Sequence, residues 1–130
     1  MVCLDTNVLI GLLRNDKNVV SLVKEIENSN KITTTVINNF ELWKGFYRTK
    51  SVKDEGAIIK LLNIISLLEF DQKASKKAAE IFEHLKGKGK MVDALDVMIA
   101  SIALTNSEPL LTLNKKHFDN IPGLKLIWCQ

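Results

Sequence analysis

The sequence alternates short runs of β-branched and apolar residues with longer segments whose apolar residues recur at helical spacing. Short strands that alternate with helices are joined by right-handed crossovers, and they form a parallel sheet that helices cover on both faces. The sequence therefore predicts an α/β fold, a three-layer α/β/α sandwich with a mostly parallel sheet of about five strands. The runs that we expect to form the strands are Val2–Leu4, Lys31–Val36, Ser66–Phe70, Leu110–Leu113 and Leu124–Trp128.

The helical segments are marked by stripes of apolar residues, and a clear stripe lies between the third and fourth predicted strands. This helix is expected to begin after Asp71, a good N-cap, and to end at Gly87, a good residue for the position after a helix. The segment Asn39–Tyr47 and the one after it carry more apolar surface than one face of a sheet needs. We expect most of that surface to pack in the core and part of it to form a groove for a partner helix. The aromatic stripe of the first segment consists of Phe40, Trp43, Phe46 and Tyr47.

The composition is that of an ordinary globular protein. With 130 residues, 46% hydrophobic and 25% charged, the chain is expected to form a single domain over residues 1–130, and a disordered chain is excluded. The longest apolar run, Ile58–Leu68, is interrupted by polar residues, and the sequence does not begin like an export signal, so no membrane contact is expected. Two cysteines, Cys3 and Cys129, exclude a disulfide scaffold and a four-thiol zinc site. We expect reduced thiols in a cytoplasmic protein.

The net charge of +3 is mild, and it permits contact with nucleic acid without requiring it. Lys44 and Arg48 lie one helical turn apart near Glu41, and they are candidates for contact with nucleic-acid phosphates. A solvated helix face explains the same pair.

Two carboxylates lie close after predicted strands. Asp5 ends the first strand, and open parallel sheets place their sites at the carboxyl ends of the strands. Asp5 could instead cap the next helix, although Thr6 or Asn7 would serve equally well as the cap. Glu41 has a capping alternative too, because Asn38 as N-cap would place Glu41 at the third helical position. Capping and metal binding both require a carboxylate near the helix N-terminus, so both remain open.

Asp93 and Asp96 are three residues apart, so both project from one side of a helix whose other side is apolar. Two carboxylates in a first turn also complement the helix dipole, and this explanation suits Asp93, the expected N-cap. Asp96 has apolar neighbours, where a carboxylate is costly unless a partner compensates its charge. A metal ion is the simplest such partner.

Asn114 follows the fourth predicted strand, and taken alone it is a turn residue. His117 lies three residues later and is expected to be a surface or packing residue. No second histidine lies at ligand spacing from His117, so zinc chemistry is not expected.

Asp5, Glu41 and Asp96, with Asp93 nearby, would together place several carboxylates at one edge of a parallel sheet. Carboxylates this close repel one another unless a cation holds them. Oxygen ligands select Mg²⁺ or Mn²⁺, and such an ion activates water for attack on a phosphodiester. The residues therefore predict metal-dependent phosphodiester hydrolysis.

The sequence resembles the PIN domain family, and within it the VapC-type toxins of toxin–antitoxin pairs. LDTNVLIGLLR resembles the family's first-strand motif with Asp5, and FELWKG resembles its second motif with Glu41. DALDVMIASIAL places the third acidic residue at Asp96, and LLTLNKKHFDNIPGLKLI resembles the closing segment, whose fourth acidic position falls on Asn114. The resemblance covers essentially the whole chain.

The resemblance implies a homodimeric endoribonuclease that depends on Mg²⁺ or Mn²⁺, cuts tRNA or ribosomal RNA, and is blocked by a small antitoxin. Asp5, Glu41 and Asp96 would be the catalytic, metal-binding residues, with Asp93 as a possible contributor to a second ion. The supporting positions are Thr6, Asn7 and Asn114. Asparagine at the fourth acidic position lowers the negative charge, so one firmly bound ion is expected.

Three other classes of protein are alternatives for a chain of this kind. A receiver-type signalling domain needs an acidic pair before its phosphorylated aspartate, and Asp5 has no acidic neighbour. An aspartyl phosphatase needs a second aspartate where Asn7 stands. An inactive RNA-binding or interaction module with the same fold remains the main alternative, because Asn114 makes the site incompletely acidic.

Overall fold

The computed structural model describes residues 1–49 and 52–128, and it contains every predicted strand, the first with the predicted bounds and the other four slightly shorter. The strands are β1 (Val2–Leu4), β2 (Ile32–Thr35), β3 (Ser66–Leu68), β4 (Leu110–Thr112) and β5 (Leu126–Trp128). The helices are α1 (Thr6–Leu13), α2 (Lys17–Glu27), α3 (Val36–Thr49), α4 (Val52–Ile64), α5 (Gln72–Gly87) and α6 (Ala94–Thr105). A short 3₁₀ turn, Lys115–His117, follows β4.

The strands form one parallel sheet in the order β3-β2-β1-β4-β5. Strand β1 is central: Cys3 pairs with Thr33 of β2 on one side and with Leu110 of β4 on the other. Because all the strands run in the same direction, their carboxyl ends meet at a single edge of the sheet. That edge carries the candidate site.

The sheet has a hydrophobic core on each face, because successive side chains of a strand point to opposite sides. In β1, Val2 and Leu4 pack against α1 to α4, whereas Cys3 packs against α5 and α6. Leu111 and Leu110 of β4 divide between the same two faces. The predicted three-layer sandwich is confirmed.

Helix α5 begins after its N-cap Asp71 and ends at Gly87, as predicted. The predicted role of Gly87 as the residue after the helix is wrong, because Gly87 is still helical and the left-handed conformation belongs to Gly89, at φ +72°. In α3 the aromatic stripe is only partly a core stripe, because Phe40 and Tyr47 are exposed while Trp43 and Phe46 pack against the core. The fully buried positions of α3 are Asn38 and Leu42.

Of the two cysteines, only Cys3 lies in the part of the chain that the structure describes. Cys3 lies buried in β1, and this burial raises the pKa of its thiol well above the usual range, so the thiol is unreactive. Cys129 lies outside the described residues. Strand β4 separates β1 from β5, the strand that precedes Cys129.

None of the helices in the described part of the chain is both long and apolar enough to cross a membrane.

Gly11 lets α1 approach α2 closely, and we expect Gly11→Ala to destabilise the fold. An added Cβ would lie 2.9 Å from Cγ2 of Val19 and 3.0 Å from its Cγ1, and a β-branched side chain cannot easily turn away. After the gain in helix propensity, the expected loss is about 1–2 kcal/mol of unfolding free energy.

Gly56→Ala is the matched control for urea unfolding of this variant. Gly56 lies in an exposed stretch of α4. A Cβ added there would have no neighbouring atom within 4 Å in the described part of the chain. It should therefore gain roughly 0.5–1 kcal/mol from helix propensity. Equal stability of the two variants would contradict close packing at Gly11.

Candidate active site

Asp5 is the most deeply buried carboxylate of the candidate site, with 7% of its surface exposed at the junction of β1 and α1. It does cap α1, because its Oδ1 accepts a hydrogen bond from the backbone N–H of Thr6 at 2.9 Å. The same oxygen accepts from Nδ2 of Asn38 at 3.1 Å, and Oδ2 accepts from the hydroxyl of Thr112 at 2.8 Å. Side chains from β4 and α3 thus hold the cap residue in a single orientation.

The pKa of Asp5 reflects two opposed effects. Burial raises the pKa, since the charged form loses its water, and the hydrogen bonds from Thr112, Thr6 and Asn38 lower it again. The net pKa is above the usual value of an aspartate. The site therefore holds a carboxylate whose negative charge is only partly compensated by protein donors.

The capping box at the start of α3 lies one turn earlier than predicted, so Asn38 is not the N-cap. Thr35 precedes the helix, and its hydroxyl accepts from the backbone N–H of Asn38 at 3.1 Å and donates to Oδ1 of Asn38 at 2.7 Å. This leaves the Nδ2 group of Asn38 to donate to Asp5 and, at 2.8 Å, to the hydroxyl of Thr6. Asn38 is therefore a buried bridge between α3 and α1.

Glu41 lies almost one turn beyond Asn38 on α3 and points toward the same edge of the sheet. Its Oε1 accepts from the hydroxyl of Thr6 at 2.6 Å. Partial burial raises the pKa of Glu41, the Thr6 bond lowers it, and the charges of Asp5 and Asp93 raise it further. The capping alternative for Glu41 is therefore wrong, and its partner is a side chain at the start of another helix.

Asp93 and Asp96 approach the site from α6. Asp93 is the predicted N-cap, accepting from the backbone N–H of Leu95 at 2.7 Å, and it is exposed. Asp96 is half-buried, and its pKa is raised to about 6. Burial is the largest cause, and the charges of Asp93, Asp5 and Glu41 raise it too, against an opposing effect of His117. Asp96 therefore lies within electrostatic range of all three other carboxylates.

The supporting asparagines tie the end of β4 to the site. Oδ1 of Asn7 accepts from the backbone N–H of Leu113 at 3.1 Å. The backbone N–H of Asn114 donates to the hydroxyl of Thr112 at 3.0 Å, and that hydroxyl in turn donates to Asp5. Asn114 is thus more than a turn residue, because its backbone helps to orient the donor that holds Asp5.

Three residues beside these carboxylates escaped sequence reasoning in that role: Asn38, Thr112 and His117. His117 was expected to be a surface or packing residue, and its ring is indeed exposed, but its Nδ1 lies 3.2 Å from Oδ2 of Asp96. Their positions in the sequence could have indicated this role for two of them, because Thr112 ends a strand and His117 ends the turn that follows it. Polar residues just beyond β4 face the same edge as those after β1.

Lys44 and Arg48 lie further along α3 and are both exposed. Lys44 Nζ lies 5.6 Å from the centre of the Phe40 ring, and the charge of Lys44 lowers the pKa of Glu41. Arg48 lines a groove of about 200 Å³ that begins at Glu41 and runs between α1, α3 and α4. The two cations therefore flank the acidic edge of the sheet on one side.

The donor set suits a hard divalent cation, although no three His, Cys, Asp or Glu side chains in residues 1–49 and 52–128 already surround a single point. Asp5, Glu41 and Asp96 offer only carboxylate oxygens, and each has a raised pKa. Oxygen donors with uncompensated negative charge are what Mg²⁺ and Mn²⁺ bind. The residues fit the ion by chemistry, and the carboxylates would draw together around it.

We expect Asp96→Asn to stabilise the folded chain at pH 7 in the presence of chelator. The folded pKa of Asp96 is raised, so between about pH 4 and 6 the folded state binds more protons than the unfolded state, and stability falls as pH rises through that window. Asparagine avoids this loss, and the Tm at pH 7 should rise by roughly 2–6 °C. The gain should vanish below about pH 4, where Asp96 is neutral in both states.

The check is thermal unfolding of both proteins at each pH. A variant that is less stable than the wild type at pH 7 would show that Asp96 is held by favourable contacts rather than strained by burial and repulsion.

Fold and site define an α/β/α domain with a cluster of carboxylates at the carboxyl edge of a parallel sheet. The profile of the PIN domain family matches residues 2–124 of the chain. Ribonuclease VapC3 of Methanocaldococcus jannaschii is 34% identical over 99 residues, which are 76% of this chain and 94% of that protein. The chain therefore belongs to the PIN domain family, in its VapC group.

Two further likenesses extend over nearly the whole chain. The tRNA(fMet)-specific endonuclease VapC of Salmonella typhimurium is 26% identical over 128 residues, covering 97% of this chain and 96% of that protein. The crystal structure of VapBC2 from Rickettsia felis, bound to a DNA fragment from their promoter, has a chain that superimposes with a TM-score of 0.91 at 24% identity. That superposition covers 100% of both chains and shows that the fold is shared.

Proposed function

We propose that this chain is a metal-dependent endoribonuclease and the toxin of a toxin–antitoxin pair. The observation that carries the proposal is the convergence of Asp5, Glu41 and Asp96 at one edge of the sheet. Asp5 follows β1, Glu41 lies in the second turn of α3, and Asp96 lies in the first turn of α6. Burial is the largest cause of the raised pKa of each. Three neighbouring carboxylates with raised pKa values destabilise a fold unless a cation binds them, so such a cluster indicates a functional site.

Asp5, Glu41 and Asp96 would hold Mg²⁺ or Mn²⁺, and Asp93 would contribute to a second ion that arrives with the substrate. The bound ion supplies an activated water and polarises the phosphoryl group. Thr112 and Asn38 keep both oxygens of Asp5 in place, and Thr6 keeps Glu41 in place. These hydrogen bonds restrict the orientations of Asp5 and Glu41, so both carboxylates already lie at the edge of the sheet where the ion would bind.

RNA is the proposed substrate, with tRNA or ribosomal RNA as its class. Support comes from membership of the VapC group and from the relatives named as a ribonuclease and as a tRNA(fMet)-specific endonuclease. Lys44 and Arg48, which flank the acidic edge on one side, would contact backbone phosphates on that side of the cleaved bond. The protein would act in the cytoplasm, where such RNA is found.

The proposed antitoxin would occupy the groove that begins at Glu41. The groove combines apolar side chains of three helices with charged ones, which suits an amphipathic helix that carries a basic residue toward the carboxylates. Its apolar lining includes Leu13, Phe46 and Ile58, and its charged residues include Arg14, Arg48 and Asp54.

A homodimer is also proposed. It is supported by large apolar side chains of α3, α4 and β3 that stay exposed in the single chain. These are Phe40, Tyr47, Ile59, Ile64 and Leu67.

The test of the proposed function is cleavage of host total RNA by the purified protein with Mn²⁺, and again with excess chelator. Discrete fragments that appear with Mn²⁺ and vanish with chelator are expected, and mapping their ends would identify the RNA. If no fragments appear under any divalent cation, the domain is not a nuclease. The inactive RNA-binding module would then account for the fold.

A further inference from the structure

His117 connects two of the site residues from the outer side of the cluster. Its Nδ1 lies 3.2 Å from Oδ2 of Asp96, and its Nε2 lies 2.9 Å from Nδ2 of Asn114. The three side chains form a hydrogen-bonded chain that leads from the turn after β4 to α6. Asn114 occupies the position at which the sequence resemblance places a fourth acidic residue.

The two contacts select one form of the imidazole. The amide Nδ2 of Asn114 can only donate, so Nε2 of His117 must accept and carries no proton. The remaining ring proton is then on Nδ1, where it can donate to Oδ2 of Asp96. In this tautomer His117 accepts from Asn114 on one side and donates to the carboxylate of Asp96 on the other.

The turn that carries His117 is held firmly in place. Its backbone closes through hydrogen bonds from His117 N–H to the Asn114 carbonyl at 3.2 Å and from Phe118 N–H to the Lys115 carbonyl at 3.0 Å. Phe118 is 1% exposed and packs in the core on the α5–α6 face. Lys115 Nζ lies 4.5 Å from the centre of the Trp128 ring on β5. The exposed imidazole therefore extends from a rigid support.

We propose that His117 is a positioning residue that orients Asp96 for cation binding, and that Asn114 acts through His117 by fixing its tautomer. The proposal rests on the proposed metal-dependent function, since orientation of Asp96 matters only if the carboxylate receives an ion. It gives Asn114 a role that a carboxylate at the same position could not fill, because the amide donates to Nε2 of His117. Outer partners that fix a metal ligand in this way commonly change metal affinity by about 10- to 100-fold.

The test compares two amides that imitate different nitrogens of the ring. In His117→Asn the side-chain amide can reach the place of Nδ1 and keep the donor to Asp96, whereas in His117→Gln it reaches the place of Nε2 and loses that donor. His117→Ala removes both contacts. His84→Ala is the matched control, because His84 is an exposed histidine of α5 and lies beside Lys77 and Pro122, which do not belong to the site.

The readout is Mn²⁺ binding without RNA, followed through the electron paramagnetic resonance signal of the free ion at one fixed pH. His117→Ala and His117→Gln should bind Mn²⁺ about 10-fold more weakly than the wild type. His117→Asn should bind Mn²⁺ much more tightly than His117→Gln and close to the wild type, because it keeps the donor to Asp96. His84→Ala should bind as the wild type does. Thermal unfolding of each variant establishes that it is folded.

The outcomes separate this inference from the function on which it rests. Equal Mn²⁺ affinity in all three His117 variants and the wild type would overturn the positioning role and leave the metal site intact. Equally weak Mn²⁺ binding by His117→Asn, His117→Gln and His117→Ala would overturn the assignment of Nδ1 as the donor to Asp96. A wild type that binds no Mn²⁺, just as Asp96→Asn should bind none, would instead refute the proposed function.

Discussion

Asp5→Asn is expected to abolish RNA cleavage while the protein stays folded. The substitution removes one negative charge from the centre of the acidic cluster and with it a carboxylate oxygen for the cation. Loss of a single preorganised electrostatic group in an active site lowers the rate on the order of 100- to 1,000-fold. The measurement is the rate of fragment formation from total RNA in Mn²⁺, beside the Tm of the variant.

The hydrogen bonds around residue 5 explain why the fold should tolerate asparagine. The retained Oδ1 can still accept from Thr6 and Asn38. The new amide group would donate to the hydroxyl of Thr112, which can accept a second hydrogen bond beside that from Asn114. Only the buried hydroxyl proton of Thr112 loses its acceptor, which costs about 1–3 kcal/mol of unfolding free energy.

Glu108→Gln is the matched control for this experiment. Glu108 is also a buried carboxylate, with 4% of its surface exposed, but it accepts from Thr33 at the amino end of the strands, opposite the site. The same change in charge there should leave cleavage unchanged. If Glu108→Gln lost as much activity as Asp5→Asn, the effect would come from the overall charge or stability rather than from the acidic cluster.

Phe118→Ala is expected to cause the largest loss of stability, about 3–5 kcal/mol of unfolding free energy. Phe118 is a large, fully buried side chain, and it packs in the core formed with α5 and α6. Removing the ring leaves a cavity that the surrounding helices and strands can fill only in part. The loss is measured by urea unfolding in the presence of chelator.

Phe40→Ala provides the comparison for Phe118→Ala, because it is the same substitution at a position that is 52% exposed on α3. It should cost less than about 1 kcal/mol. Similar losses for the two variants would show that the core around Phe118 is not closely packed. Because Phe118 supports the turn of His117, its loss should also weaken Mn²⁺ binding in whatever fraction stays folded.

The layers of the fold could be predicted because they follow from patterns repeated along the chain. Alternation of β-prone runs with helical stripes is set by burial, and each run contributed independently to the prediction of the sheet. Asp5 and Glu41 could be named because each comes soon after a predicted strand, and Asp96 because it is a carboxylate with apolar neighbours in the first turn of a helix. Parallel strands bring such positions to one edge whatever the details of packing.

The partners of those carboxylates could not be predicted in the same way. Asn38 and Glu41 were paired as a capping box by their spacing, yet Thr35 caps α3, and the two residues turn instead to Asp5 and Thr6. Similarly, Gly89 rather than Gly87 takes the left-handed conformation after α5. In both cases two nearby residues fit the local pattern equally well, and only contacts with other helices and strands decide which residue takes the role.

Local patterns in the sequence thus establish the sandwich, the parallel sheet and the set of acidic residues, because burial periodicity and strand ends are properties of short stretches of chain. The tertiary structure alone decides the links between Thr112 and Asp5 and between His117 and Asp96. The first joins residues 107 positions apart, and the second joins a turn to a separate helix. Such contacts depend on how β1, β4 and α6 are placed against one another, and no local pattern encodes that placement.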